Sequence, residues 1–176
     1  MKYIVKIFVV TLTLLVCTYN PTFAEQKIVV LDMTYVLNQS KAGKGAQDFL
    51  KKSLANNQKK FKDIENNLKK EEGDLLGKKT VLSKEEYQKK TDVLRKKVID
   101  YQSQRRAALD KLATQRRESR KILIEKIDPI LNNYIKENDI SLVIDKKNML
   151  GGKPEHDITK TIVEKLNKEL PSLNLK

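Results

Sequence analysis

From Leu50 onward, steps of four and three residues land on Leu50, Leu54, Asn57, Phe61, Ile64, Leu68, Glu71, Leu75, Lys78 and Leu82, seven of ten apolar. The same stepping from Tyr87 gives Tyr87, Thr91, Leu94, Val98, Tyr101, Arg105, Ala108, Leu112, Gln115, Ser119, Ile122 and Lys126, seven of twelve apolar. A repeat of this kind lays one narrow apolar stripe along a helix and suits pairing with a second such helix. The positions between are almost all Lys, Arg, Glu, Asp, Gln or Asn, so the rest of each helix belongs in water. Polar residues interrupt both stripes, which makes them imperfect heptads.

Between the two runs the chain carries signals for a reversal. Gly73 and Gly77 weaken the first helix. Ser83-Lys84-Glu85-Glu86 then forms a capping box, in which Ser83 accepts from the Glu86 N–H and the Glu86 carboxylate accepts from the Ser83 N–H. A new helix therefore starts at Lys84. Two helices of about 30 to 45 residues predict an antiparallel hairpin about 50 to 65 Å long. This arm is expected to span residues 49–127, with its tip near 77–83.

The flanks have a different pattern. Ile28-Val29-Val30-Leu31 and Leu142-Val143-Ile144 are short apolar runs that end at Asp32 and Asp145, the pattern of buried strands with turn-forming ends. Thr34 to Asn38 predicts a short helical turn before a Gly43-Lys44-Gly45 loop. Asp128-Pro129 either caps a further helical stretch through Tyr134 or kinks one long helix. Gly151-Gly152-Lys153-Pro154 is a turn, Asp157 is a natural N-cap, and Ile158, Ile162, Val163 and Leu166 share one helical face. Residues 25–48 and 128–176 thus form the two parts of a small body. The fold class is α+β, mostly α: a long antiparallel helical hairpin, a coiled-coil arm, projecting from a small β body. A body of this size usually needs a disulfide, a metal or a partner subunit. Oligomerisation is the option these residues leave open.

Composition sharpens this picture. Of 176 residues, 36 are Lys or Arg and 23 are Asp or Glu, and only 6% are aromatic, with no Trp, one Cys and one His. Long, solvent-washed helices fit these numbers, whereas a large-core enzyme, a disulfide scaffold or a His-rich metal site does not. Lys2 and Lys6 precede an uncharged stretch from Ile7 to Ala24, with a small-residue cleavage pattern at Thr22-Phe23-Ala24. This is the layout of a signal peptide over residues 1–24, and cleavage near Ala24 would remove Cys17 as well. An uncleaved anchor would need about 20 apolar residues, and Tyr19, Asn20 and Pro21 break the run.

The charge is concentrated in the arm. Basic against acidic side chains number 3 and 3 in residues 25–48 and 8 and 8 in residues 128–176, but 9 and 5 in residues 49–82 and 14 and 7 in residues 83–127. Export across a membrane argues against nucleic acid as the partner and leaves acidic proteins or anionic lipid. The candidate binding residues are Lys89, Lys90, Lys96, Lys97, Arg105, Arg106, Lys111, Arg116, Arg117, Arg120 and Lys121. A tract like this is also what a merely solvated helix face looks like. Asp32 and Asp145 have no second catalytic group nearby in sequence, and His156 lies in a turn-rich segment. Asn38 to Gly45 fails as a phosphate-binding loop, because Asn38 and Gly45 stand where Gly and Ser or Thr are needed. The sequence names no catalytic residue, cofactor or metal site, and the reading is non-enzymatic.

The strand ending Val30-Leu31-Asp32-Met33, then Val36-Leu37, Ser40 and Gly43-Lys44, the long charged hairpin, the returning Leu142-Val143-Ile144-Asp145 and the closing Asp157-Ile158-Thr159 resemble the Skp (OmpH-like) family of periplasmic chaperones. The resemblance runs from about residue 26 to residue 170. It implies a homotrimer whose strands assemble a central β-barrel, with three helical arms around a cavity. It also implies ATP-independent holding of unfolded outer-membrane β-barrel proteins in the periplasm. Anionic lipid or lipopolysaccharide is a further partner class for the basic arm. The alternative function is a structural coiled-coil adaptor that binds a folded envelope partner or anionic lipid.

Overall fold

The computed structural model describes residues 26–175 together with Tyr3. The expected cleavage near Ala24, and the signal segment apart from Tyr3, lie outside the described residues.

Strand β1 (Lys27–Leu31) and strand β2 (Ile140–Asp145) pair in parallel, with Ile28 opposite Leu142, Val29 opposite Val143 and Val30 opposite Ile144. Three helices lie between them: α1 (Met33–Gln39), α2 (Lys41–Gly77) and α3 (Lys84–Glu137). Two single 3-10 turns, Lys146–Asn148 and Pro154–His156, lead from β2 into α4 (Thr159–Glu169). The fold is therefore α+β and mostly α, a long helical hairpin on a small two-stranded body.

The contiguous core cluster sits in the body. Val29 and Leu31 of β1 meet Val36 and Leu37 of α1, Leu123, Ile127 and Ile130 of α3, and Ile162 and Leu166 of α4. Ile158, Ile162 and Leu166 share the buried face expected of the closing helix, with Val163 packed at its margin. Hydrogen bonds tie the elements together: Ile158 N–H donates to the Val30 carbonyl at 2.9 Å and Asp32 N–H donates to Thr159 Oγ1 at 2.9 Å. The two strand-end carboxylates act as caps. Asp32 accepts from Tyr35 N–H at 2.7 Å and Asp145 accepts from Lys147 N–H at 3.2 Å.

Three expectations need correction. Gly43-Lys44-Gly45 is not a loop but the first turn of α2, capped by Ser40, whose Oγ accepts from Gly43 N–H at 3.1 Å. The cap and the close approach of Gly43 to the Leu37 carbonyl at the α1–α2 corner outweigh the helix cost of two glycines, about 1 kcal/mol each. Of the two readings of Asp128-Pro129, the single long helix holds, since Pro129 lies inside α3, and it is the length of that helix that departs from expectation. The Pro129 ring is exposed while Ile127 and Ile130 on either side are buried, so packing holds the helix through the missing N–H. With 54 residues, α3 is about 80 Å long, well beyond the expected length.

The third correction concerns the apolar seam of α3. As far as Ser119 the buried and half-buried positions follow the expected steps, but beyond it Leu123, Ile127 and Ile130 are buried while Ile122 and Lys126 are exposed. The steps from Ser119 are four, four and three, in place of the alternation of three and four. The cause is a change of partner: above Ser119 the helix packs against α2, below it against α1 and α4 of the body. A spacing nearer 11 residues per three turns suits a straight helix that no longer supercoils with one neighbour.

Candidate functional site

The hairpin surface is the candidate site, and its local chemistry sets its shape. Gly77 ends α2, residues 78–82 turn, and Ser83 starts α3 with the expected capping box, Glu86 N–H donating to Ser83 Oγ and Ser83 N–H to the Glu86 carboxylate, both at 3.2 Å. The helices then run antiparallel. Lys97 of α3 reaches Glu71 of α2 at 2.6 Å, and lower down the Phe61 and Tyr101 rings meet edge to face at 6.0 Å.

Two helices cannot cover a seam on their own. Of the seam residues in α2, Phe61 is buried, while Ile64, Leu68 and Leu75 are half-buried; Leu94, Val98, Tyr101 and Leu112 of α3 are half-buried too. Larger apolar side chains stand out in water: Leu76 is 58% exposed, Val81 82%, Val93 55% and Ile99 57%. Near the tip an open groove of about 400 Å³ runs over Leu75, Val93 and Leu94, edged by Asp74, Lys78 and Lys89. Such a surface offers contact to an extended chain without a fixed shape to match.

All eleven candidate cations, Lys89, Lys90, Lys96, Lys97, Arg105, Arg106, Lys111, Arg116, Arg117, Arg120 and Lys121, lie on α3, and all are exposed. They do not form one cluster. Lys97 is paired with Glu71, Lys121 stands 3.9 Å from Glu125, and Arg117 donates to Thr114 Oγ1 at 3.1 Å. The hairpin also brings up cations that the α3 tract alone does not reveal, namely Lys51, Lys52, Lys59, Lys60 and Lys62 of α2, which run beside the Arg105–Lys121 stretch. Their signal was the surplus of Lys in residues 49–82, which becomes spatial only with the hairpin register. On the same helix the hydrogen bond from Lys69 holds the Glu65 carboxyl below its ordinary value, and Glu65 holds Lys69 above its own.

A second cavity, of about 540 Å³, opens where the two parallel strands end, lined by Val30, Asp32, Lys146, Met149, Leu150 and Asp157 among others. Lys146 Nζ donates to Asp157 at 2.7 Å and Thr159 N–H donates to Asp157 Oδ1 at 2.9 Å. Partial burial works to raise the Asp157 carboxyl, but these bonds overcome it and hold the group below its ordinary value. The Asp157 bond in turn holds Lys146 above its own. This is the chemistry of a tied loop, with Asp157 joining β1, the loop after β2 and the start of α4.

A small α+β body carrying a long, cation-rich hairpin with an under-covered apolar seam defines an arm-bearing protein. The chain belongs to the OmpH-like family: the family model described as "Outer membrane protein (OmpH-like)" matches residues 27–166. It is similar to the Skp-like protein of Pseudomonas aeruginosa, with 27% identity over 158 residues that cover 90% of this chain and 94% of that protein. Its fold is that of an OmpH-like protein from Caulobacter crescentus CB15, described as an outer membrane chaperone. There the TM-score is 0.80 at 16% identity, covering 90% of this chain and 93% of the other.

Proposed function

We propose that the protein is an ATP-independent periplasmic holdase that binds unfolded outer-membrane proteins between basic helical arms and keeps them from aggregating. The observation that carries this reading is the hairpin itself, which displays rows of exposed cations beside a half-covered apolar seam. Unfolded outer-membrane strands alternate apolar and polar residues. Charge on the arm speeds their capture over distance, and weak apolar contacts hold them without imposing one structure. Membership of the OmpH-like family and the likeness to a structure described as a chaperone support the same reading. On this reading residues 1–24 are a signal peptide cleaved near Ala24, and the mature protein works in the periplasm. Client contact falls to the eleven α3 cations from Lys89 to Lys121 and to the apolar residues between them.

The working unit is a homotrimer, and the body supports self-association. Ile28 and Leu142 face each other across the strand pair, yet are 40% and 51% exposed. Parallel strands are normally covered on both faces, and a two-stranded sheet is marginal alone. Strands from further copies would cover this patch and complete the sheet.

The test dilutes a urea-unfolded outer-membrane barrel protein into buffer with and without this protein and follows light scattering at low and high salt. Scattering should be suppressed at low salt and return as salt rises, because exposed charges are screened within about 10 Å at 0.1 M. Unchanged scattering at low salt would contradict the holdase.

A further inference from the structure

The cations are unevenly placed along the arm. Residues 49–63 of α2 and 105–121 of α3 overlap along the part of the hairpin next to the body, in the register set by the Phe61–Tyr101 and Glu71–Lys97 contacts. Together these stretches hold 12 basic side chains against 3 acidic, whereas the outer hairpin, residues 64–104, holds 10 against 8. The ion pairs follow the same division, apart from Lys121 at the root, which stands 3.9 Å from Glu125. Glu65–Lys69 at 2.7 Å, Asp92–Arg95 at 3.0 Å and Glu71–Lys97 at 2.6 Å all belong to the outer hairpin. In the inner stretch Arg106, Lys111, Arg116 and Arg120 form no ion pair among the described residues. The exposed apolar side chains lean the other way, with Leu76, Val81, Val93 and Ile99 in the outer hairpin against Leu54 and Leu109 in the inner.

We infer that the root of the hairpin is a collar that binds acidic stretches of the client polypeptide, while the outer hairpin takes its apolar stretches. The inference rests on the holdase reading and adds a division of labour along the arm. Uncompensated cations keep their field, whereas cations interleaved with carboxylates look neutral beyond the Debye length. The collar spans 17 residues of α3, about 25 Å, long enough for several residues of an extended chain. Its place at the root favours polypeptide over lipid. Residues 64–77 carry α2 about 20 Å further out, so a bilayer meeting the tip stands some two Debye lengths from the collar. A flexible chain can reach it.

Two variants of equal charge change test this in the full chain: Arg106→Gln, Lys111→Gln, Arg116→Gln, Arg120→Gln at the root, and Lys78→Gln, Lys89→Gln, Lys90→Gln, Lys96→Gln further out. The probes are a fluorescein-labelled 20-residue Glu/Ser peptide, a neutral Val/Ser peptide of equal length, and phosphatidylglycerol vesicles. At low salt the root variant should bind the Glu/Ser peptide about tenfold more weakly and the outer variant less than about threefold more weakly, with the Val/Ser peptide unaffected by the root changes. Equal losses in both variants, or none at the root, overturn the collar. Loss of vesicle binding at the root with Glu/Ser binding intact also overturns it, and assigns the cations to lipid. Helical circular dichroism confirms folding, and Arg116→Gln alone gives the same comparison in a smaller step. Client scattering on the same samples separates the two claims. Suppressed scattering with undifferentiated peptide binding sinks only the collar, and discriminating peptide binding without suppression sinks only the holdase.

Discussion

A methyl group on Gly43 would run into the carbonyl oxygen of Leu37, whereas one on Gly45, two residues on, meets nothing within 4 Å. The two substitutions should therefore have opposite signs. Gly43→Ala should destabilise the body by about 3 kcal/mol, because backbone rather than a movable side chain must give way. Gly45→Ala should stabilise α2 by about 0.5 to 1 kcal/mol. Urea melts decide it, and equal effects would mean that this turn is not helical. Residue chemistry also sets a pH response at Asp157 and Lys146. The lowered Asp157 contributes stability that is complete above the ordinary carboxylate value, near pH 4, and is lost as acid titrates it through its folded value. The raised Lys146 contributes stability that is complete below the ordinary lysine value, near pH 10, and is lost as pH climbs through its folded value. Lys146→Met should lower the urea midpoint at pH 7 only modestly, since the lysine is half exposed and water screens the pair. The difference between wild type and variant should shrink as the pH falls below the ordinary carboxylate range and acid titrates Asp157. A difference unchanged down to pH 2 would show that the pair does not act as described.

At the scale of elements, the phase change in α3 makes two neighbours unequal. Leu123 is 4% exposed in the body core and Ile122 is 37% exposed, although the uninterrupted heptad puts Ile122 in the seam. Leu123→Ala should cost about 3 kcal/mol and Ile122→Ala less than about 1 kcal/mol, read from denaturant midpoints. The reverse order would restore the heptad. This contrast marks what the amino-acid sequence could disclose. Both strands, the hairpin and the Ser83 capping box were legible because a few neighbouring residues determine each of them. The start of α2 was not, because Ser40 caps a turn whose two glycines look like a loop until Gly43 is seen against Leu37. The phase change was hidden because it depends on which element α3 touches, a tertiary fact. The candidate surface was half legible: the Arg-rich tract is a run in the chain, but the lysines of α2 join it only through the hairpin register.

At the scale of the whole molecule, the body is small, its strand pair shows an uncovered apolar patch, and the arm carries cations and apolar side chains without a core of its own. These features account for one another if several copies share a body and their arms enclose a client. In the proposed assembly charge on the arms governs capture and the shared body governs geometry, so salt should weaken client binding more than self-association. The most direct measurement is the native mass of the complex formed with one unfolded outer-membrane barrel protein at low salt, with the mass of the client-free protein alongside. Three chains alone, and three chains with a single client, are the predicted result. A monomer, or a client bound to one chain with its aggregation unchecked, would contradict the proposal.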